Sequence, residues 1–298
     1  MTILLVGGTG KTGLPLARLL RDANHSLLIA SRSPDKVPEP FKGVAFDWFE
    51  PSTYENPFNV DSNITRVYIV GPPVLHMLPT VKEFVELAIT KGVKRFVFLS
   101  ASSTPRGSLS MGQVHEYLAE RGVEYAILRP SWFFGEQCQT FTHCGKLPKH
   151  TSENFTYIFY QSIRESNDIA TTVGDGKVPF VSADDIAEVA FRALVDEQSH
   201  NTDHIIVGPE LYTYDEVAVL LSEVLGRTIK HKRLTQDEGK ALWESFGLDE
   251  EYALTMLDME RWILTGKEEA LFHAEAKDVG ERRINEYFQA NREAWIVE

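Results

Sequence analysis

Three glycines near the amino terminus constrain the fold of this chain more than any other feature. Gly7, Gly10 and Gly13 form the pattern G-x-x-G-x-x-G directly after the apolar run 3–6. Apolar residues then recur with the spacing of one helical face, at Leu16, Leu19, Leu20 and Ala23. A strand, a glycine turn and a helix predict the first unit of a dinucleotide-binding fold, where the helix amino terminus faces a pyrophosphate.

The same stretch ends in Gly10-Lys11-Thr12, which is also how a P-loop for nucleoside triphosphates ends. A P-loop requires glycine five residues before Gly10, and this chain has Leu5 there, so a P-loop is disfavoured. We therefore predict that the turn binds the cofactor, with Lys11 and Thr12 facing phosphate; the alternative is a tight turn without a ligand. The predicted cofactor residues of the turn are Gly7, Thr9, Gly10, Lys11, Thr12 and Gly13.

Apolar strand-like runs alternate with helical patterns along the first half of the chain. This alternation predicts a Rossmann-type, doubly wound parallel sheet with helices on both faces. Strands are predicted over 27–30, 43–46, 67–70, 96–99 and 125–128, and helices around 81–89 and 114–121. Residues 131–180 are less regular. Beyond them the sequence predicts a helix after Ser182, a strand over 204–208, a helix after Thr213 and further helices from about 235.

The organisation follows from this pattern. We expect an NADP-binding core over residues 1–130 and a small substrate-binding region over 131–298 that interleaves with the rest of the core. The formal net charge of −13 disfavours nucleic acid and anionic membranes as partners. Cys138 and Cys144 provide neither a disulfide framework nor a zinc site. We expect a cytoplasmic protein with a small-molecule substrate, and a second enzyme of the same pathway as a possible partner.

The end of the second strand indicates which dinucleotide is bound. An acidic residue at this position favours NAD, whereas a cation favours the 2′-phosphate of NADP. The chain has Ser31-Arg32-Ser33 there, so we predict that Arg32 binds this phosphate between two hydroxyls; a solvated surface arginine is the alternative. Asp47 borders the adenine in this prediction, next to Trp48, which serves equally well as core. Gly71 and Pro72 line the nicotinamide side or form an ordinary rigid turn.

Several segments together resemble the NmrA-like atypical short-chain dehydrogenases, and among them the fungal reductases of the ergot-alkaloid type. The resemblance rests on the glycine turn and on the segments at 30–32, 67–73, 92–100, 128–133 and 181–187. It covers nearly the whole chain. It implies a Rossmann fold, NADPH as cofactor and reduction of an iminium carbon in the biosynthesis of a fungal alkaloid or related secondary metabolite.

One departure from ordinary short-chain dehydrogenases bears on the chemistry. Those enzymes carry a serine and a Tyr-x-x-x-Lys pair, whereas this chain keeps Ser100 but has Met111 and His115 at the candidate helix positions. Methionine donates no proton, but reduction of an iminium ion needs none, because the nitrogen becomes neutral as hydride arrives. We predict that Ser100 and His115 border the nicotinamide. A strand-end polar residue and a helix-surface histidine are the respective alternatives.

Aromatic residues follow the sixth predicted strand, where a substrate is expected. Trp132, Phe133 and Tyr160 suit an aromatic or cationic alkaloid, since aromatic faces attract cations; core packing is the alternative for each. The predicted function is an NADPH-dependent reductase of an iminium or C=N group. Two alternatives stay open: an isomerase or cyclase without net redox chemistry, and a regulatory protein that senses NADP.

Overall fold

The computed structural model describes residues 1–134 and 155–296, so Cys138 and Cys144 lie outside the described residues. The strands within these ranges are β1 (Thr2–Val6), β2 (Ser26–Ser31), β3 (Gly43–Ala45), β4 (Ile64–Val70), β5 (Arg95–Leu99), β6 (Glu124–Pro130), β7 (Phe133–Phe134), β8 (Asp168–Thr171), β9 (Lys177–Val178), β10 (Val181–Ser182), β11 (Thr202–Val207), β12 (Tyr212–Thr213), β13 (Lys230–Arg233) and β14 (Asp278–Val279).

Helices connect most of these strands. They are α1 (Gly13–Asp22), α2 (Asn56–Val60), α3 (Leu78–Thr90), α4 (Met111–Glu120), α5 (Phe155–Glu165), α6 (Ala183–Val195), α7 (Tyr214–Leu225), α8 (Gln236–Ser245), α9 (Glu250–Leu264), α10 (Lys267–His273) and α11 (Ile284–Ala290). None of the helices in the described ranges is long and apolar enough to span a membrane.

In the described part of the chain, eight strands form one sheet in the order β14–β11–β6–β5–β4–β1–β2–β3. β1 pairs in parallel with β2 on one side and with β4 on the other. All five residues of β1 are buried, as expected for a parallel sheet covered on both faces. The chain moves outward from β1 in both directions, so a topological switch point lies between the carboxyl ends of β1 and β4. The predicted doubly wound parallel sheet is confirmed.

The described residues divide into two compact units. The first comprises Met1–Arg129 and Ala183–His204, and the second comprises Pro130–Ser182 and Ile205–Glu298. The core of the first unit joins alternate residues of β1 to the apolar faces of α3 and α4. Its buried members include Leu4, Val6, Val81, Phe84, Val114 and Leu118. Which unit holds cofactor and which holds substrate stays a prediction.

The second unit has its own core, which includes Trp132, Phe180, Tyr214 and Trp243. The described residues within 131–180, namely 131–134 and 155–180, are more regular than the sequence indicated, because they include β7, β8, β9 and α5. β7 and β9 have two residues each, which is too short for a period-2 pattern to be visible. β13 (Lys-His-Lys-Arg) was also missed. Its side chains are polar, but its backbone pairs with β8.

Capping chemistry predicted the start of α7 correctly. The Thr213 hydroxyl accepts a hydrogen bond from the Glu216 backbone N–H, and the Glu216 carboxylate accepts one from the Thr213 backbone N–H at 2.8 Å. The helix ends at Gly226, whose φ of +68° is the left-handed conformation typical of a helix C-terminus. α4 begins at Met111, three residues earlier than the predicted 114.

Candidate cofactor site

The turn after β1 is built so closely that only glycine fits at its two ends. Gly7 has φ of +91°, and a Cβ there would lie 2.8 Å from Cβ of Val70, the last residue of β4. A Cβ on Gly13 would lie 2.2 Å from the Gly7 carbonyl oxygen. The glycines therefore bring α1 against the end of β1, at the switch point where dinucleotides bind in such sheets.

The middle of this turn is accessible to a ligand. Thr9 and Gly10 are exposed, and Lys11 is half-buried. The Gly10 backbone N–H donates to the Gly7 carbonyl at 2.9 Å, which closes the turn. Since α1 begins at Gly13, the positive end of its dipole lies beside the exposed residues. This arrangement suits a phosphate anion.

The Thr12 hydroxyl was predicted to face phosphate, but the structure places it inside the protein. Its side chain is buried, and its Oγ1 lies 2.8 Å from the hydroxyl of Tyr68 in β4. Burial raises the pKa of the Tyr68 phenol, and the hydrogen bond to Thr12 lowers it by a smaller amount. The Thr12 hydroxyl therefore has a partner inside the protein and ties the start of α1 to the sheet.

The ends of β2 and β3 lie side by side, because Ser31 pairs with Ala45 in the parallel register. The Ser31 hydroxyl accepts from the Ser33 backbone N–H at 3.1 Å, which turns the chain and leaves the Arg32 side chain exposed. One strand away, Asp47 forms a similar turn, in which its carboxylate accepts from the Phe49 backbone N–H at 2.9 Å. Arg32 and Asp47 thus follow neighbouring strand ends.

Trp48 belongs to the core. Its ring packs edge-on against Phe46, Tyr54 and Phe84, with ring centroids 5.0 to 6.1 Å apart. Its indole N–H donates to the Val70 carbonyl at 3.1 Å. The chain after β3 is therefore fastened to the end of β4, beside Gly7.

The ends of β4 and β5 continue the same edge. Val70 pairs with Leu99, so Gly71 and Ser100 follow adjacent strand ends. Pro72 is buried directly after Gly71. Ser100 is fully buried, and its hydroxyl lies 2.9 Å from that of Thr104 in the loop after β5. The predicted residues of both strand ends thus lie at the carboxyl edge, where open α/β sheets bind ligands.

His115 lies in the interior, and the alternative of a helix-surface histidine is wrong. The residue is only 5 % exposed, one helical turn after Met111 on α4. Burial lowers the pKa of the imidazole. The charge of Asp203 partly opposes this shift, whereas the charges of Arg129 and Arg106 add to it. Its Nδ1 is buried and has no hydrogen-bond partner among the described residues. An unpaired buried nitrogen is costly, so this atom is suited to meet a bound ligand or water.

Sequence reasoning missed an ion pair near this histidine. Arg129 donates to the Asp203 carboxylate at 2.7 Å and to the Ser102 carbonyl at 2.8 Å. Burial raises the pKa of Asp203, but the hydrogen bond and charge of Arg129 outweigh this and lower it on balance. The only signal in the sequence was an arginine that interrupts an apolar strand just before Pro130.

The predicted substrate residues all lie in the second unit. Trp132 and Phe133 are each 7 % exposed, and Trp132 belongs to the core of that unit. Tyr160, on α5, is half-buried, and Arg164 donates to its hydroxyl with the guanidinium 5.1 Å from the ring centroid. Core packing therefore accounts for most of the Trp132 surface, whereas Tyr160 keeps an accessible face. Their contact with a substrate stays a prediction.

The chain is similar to several known proteins over most of its length. The chain is 39 % identical over 306 residues to agroclavine dehydrogenase of Claviceps fusiformis, covering 100 % of this chain and 99 % of that protein. It is 41 % identical over 278 residues to festuclavine synthase II of Penicillium roqueforti, covering 91 % of each. The structure of a Citrobacter triphenylmethane reductase complexed with NADP(H) superposes with a TM-score of 0.70 at 18 % identity, over 97 % of this chain and 99 % of that one.

The last comparison supports the fold alone, because the sequence identity is low. The model of the NmrA-like family matches residues 1–288 of the chain. Together with the two relatives that match over at least nine-tenths of their length, it shows that the chain belongs to the NmrA-like family.

Proposed function

We propose that this protein is an NADPH-dependent reductase of an iminium or C=N bond in alkaloid or related secondary-metabolite biosynthesis. Support comes from relatives named agroclavine dehydrogenase and festuclavine synthase, which match over nearly the whole chain. The observation that carries the proposal is the pair Met111 and His115 on α4, a thioether and a buried imidazole. Methionine has no proton to donate to an alkoxide, and the reduction of a cation needs no proton donor.

The residues at the carboxyl edge fit a dinucleotide. The steric contacts of Gly7 and Gly13 leave a backbone cradle, and the exposed Thr9, Gly10 and half-buried Lys11 would hold the pyrophosphate. When bound, NADPH supplies the hydride. Arg32 would bind the 2′-phosphate beside Ser31 and Ser33, while Asp47 would border the adenine. A solved fold neighbour from Escherichia coli, a quinone oxidoreductase, is complexed with NADPH, which supports a nicotinamide cofactor for this fold.

On the nicotinamide side, this chain supplies orientation rather than a proton. Gly71, Pro72 and Ser100 would border the ring, and the unpaired Nδ1 of His115 would bind a hydroxyl such as that of the ribose. Because burial keeps the His115 pKa below its ordinary 6.5, the imidazole is neutral at pH 7. A neutral side chain does not repel a cationic substrate, whereas lysine at this position would.

Aromatic residues would complete recognition of the substrate. Trp132, Phe133 and Tyr160 would offer ring surface to a flat cation, by burial of apolar area and by cation–π attraction of about 0.5–2 kcal/mol per contact.

The test is to mix the purified protein with NADPH and a cyclic iminium salt, and to follow absorbance of the reduced cofactor. We expect protein-dependent loss of NADPH with an equal amount of amine formed. An uncharged ketone with the same ring system is the matched control and should react far more slowly. His115→Gln should keep KM for the iminium salt near that of the wild type, whereas His115→Lys should raise it.

Two other outcomes would favour a different function for this protein. Conversion of a pathway intermediate with NADPH unchanged would favour an isomerase or cyclase. Binding of NADPH without conversion of any iminium compound, together with capture of a protein partner that depends on NADP, would favour a regulatory protein. Equal rates with the ketone and the iminium salt would overturn the role proposed for Met111 and His115.

A further inference from the structure

Away from the cofactor edge, three metal-ligating side chains form a chain of hydrogen bonds. His200 Nε2 lies 3.0 Å from the Asp196 carboxylate, and His200 Nδ1 lies 2.9 Å from Nε2 of His204. Asp196 directly follows α6, and His204 lies in β11. Both histidines are half-buried, so solvent reaches the pair. No part of the proposed reductase function uses these residues.

The loop that carries this cluster is held from two sides. Arg95 donates to the Asp196 carbonyl at 2.6 Å and to the Glu197 carbonyl at 3.1 Å. At the other end, Asn201 adopts φ of +48°, and its backbone N–H donates to the Tyr125 carbonyl at 2.9 Å. Since both ends are fixed to neighbouring strands, the two imidazoles are brought together before any ligand binds. Little ordering is left for a ligand to induce.

We propose that His200 and His204 chelate one divalent transition-metal ion of the copper(II) or nickel(II) class. Two nitrogens bonded at about 2.0–2.1 Å in neighbouring square-planar or octahedral positions lie about 2.9 Å apart, whereas a tetrahedral ion separates them by about 3.3 Å. The observed nitrogen separation of 2.9 Å is that of a hydrogen bond between the two rings, and it is compatible with the right-angled arrangement. Right-angled arrangements are typical of copper(II) and nickel(II), whereas zinc prefers tetrahedral sites.

Asp196 has the position of a partner that orients a metal ligand. A carboxylate that accepts from one imidazole nitrogen fixes the tautomer and leaves the other nitrogen with a lone pair. With Nε2–H of His200 directed at Asp196, Nδ1 faces His204 as an acceptor. His204 presents the lone pair of Nε2 once its proton moves to Nδ1, which exchanges one neutral tautomer for the other.

Among the described residues, two side chains are placed to act as ligands at this site. In residues 1–134 and 155–296, no group of three or more His, Cys, Asp or Glu side chains is arranged to hold a metal ion. Water would fill the remaining coordination positions, so the site selects by ligand type. Imidazole nitrogens bind copper(II), nickel(II) and zinc, whereas magnesium and calcium prefer oxygen ligands.

Nickel(II) titration of the metal-free protein, followed by calorimetry, tests the proposal. Nickel is the probe because thiols such as Cys138 and Cys144 reduce copper(II). We expect one site per chain, with magnesium giving no heat. Asp196→Asn should weaken nickel binding by about 10–100-fold, as outer partners of metal-bound histidines do. His200→Asn and His204→Asn should each weaken it by more. His273→Asn, at an exposed histidine at the end of α10, is the control and should leave the affinity unchanged.

Two further readouts separate a metal site from a disturbed fold. Nickel should raise the melting temperature of the wild type and of His273→Asn, but not that of His204→Asn. In the double variant Cys138→Ser and Cys144→Ser, which has no thiol to reduce the metal, one equivalent of copper(II) should give a paramagnetic resonance spectrum with two nitrogen ligands. Nickel affinity unchanged in His200→Asn and His204→Asn, or a copper spectrum without two nitrogens, would overturn the proposal. None of these results depends on the reductase being active.

Discussion

The three glycines of the G-x-x-G-x-x-G pattern after β1 have different surroundings. Gly7 combines a left-handed backbone with close approach to Val70, while Gly13 leaves no space between α1 and the Gly7 carbonyl. Gly10 is under less pressure, because a Cβ there would meet only the Gly7 carbonyl oxygen, at 3.1 Å. A methyl group added at each of the three positions should therefore lower the free energy of unfolding by a different amount.

We expect Gly13→Ala to destabilise the protein by about 1–3 kcal/mol or more, because the methyl group forces α1 away from β1. Gly10→Ala is the matched control, and it should cost clearly less because a shift of a few tenths of an ångström relieves its contact. Urea unfolding monitored by circular dichroism measures both. Equal costs for the two variants would show that packing of α1 against the turn is not the constraint.

Arg32 is the residue on which cofactor preference should depend. Arg32→Ala should weaken NADPH binding by roughly 10–100-fold, since a charge-assisted hydrogen bond contributes about 1.5–3 kcal/mol. Binding of NADH, which has no 2′-phosphate, should change little. Lys36→Ala, at an exposed cation four residues along the chain, is the control and should affect neither cofactor strongly. Calorimetric titration with both cofactors measures these affinities. Equal losses of affinity for NADPH and NADH in Arg32→Ala would show that Arg32 does not bind the 2′-phosphate.

Among the elements, α6 has its carboxyl end capped by a buried arginine from a neighbouring strand. Arg95 begins β5 and is only 2 % exposed, yet its guanidinium donates to the carbonyls of Ala193, Asp196 and Glu197 around the end of α6. The last carbonyls of a helix have no partner within it and carry the negative end of its dipole. Arg95 satisfies them, and it also forms an ion pair with Glu124 at 2.7 Å.

Arg95→Met should destabilise the protein by about 3–5 kcal/mol, because it leaves several carbonyls at the end of α6 without donors. Glu124→Gln removes only the half-exposed partner of the ion pair and should cost less than about 1 kcal/mol. Chemical unfolding of the two variants gives both values. Similar small losses would mean that water replaces the guanidinium at these carbonyls.

Across the whole molecule, buried histidines link stability to pH. Burial lowers the pKa of His115 in the first unit and of His231 in the second. The His231 side chain is fully buried; Asp215 and Asp175 partly oppose the shift, while Arg233 adds to it. A histidine of depressed pKa binds fewer protons in the folded state than in the unfolded chain.

The free energy of unfolding should therefore fall as the pH is lowered from 7 through 6.5 toward the folded-state pKa values of these histidines. Glu260 acts in the opposite direction: burial raises its pKa, so its contribution is full below 4.5 and is lost as the pH rises through the raised value. The double variant His115→Gln and His231→Gln isolates the histidine part. Urea unfolding at several pH values should show a smaller loss below pH 6.5 in this variant, and an unchanged slope would refute the linkage.

Local patterns were sufficient to predict the first half of the fold. Buried parallel strands appear as continuous apolar runs, so the central strands were found to within a few residues at each end. The glycine turn and the hydroxyl–arginine–hydroxyl segment fix the carboxyl edge as the candidate site. The two-residue strands of the second unit were missed, because they depend on pairing with distant partners such as β10 and β12.

The sequence by itself determined the alternation of strands and helices and the position of the glycine turn, since both depend on residues close together in the chain. Only the tertiary structure decided which polar groups are buried and paired. It directed the Thr12 hydroxyl to Tyr68, paired Arg129 with Asp203, and enclosed His115 with one nitrogen unpaired. Desolvation and ion pairing depend on neighbours in space, and those neighbours lie tens of residues away in sequence.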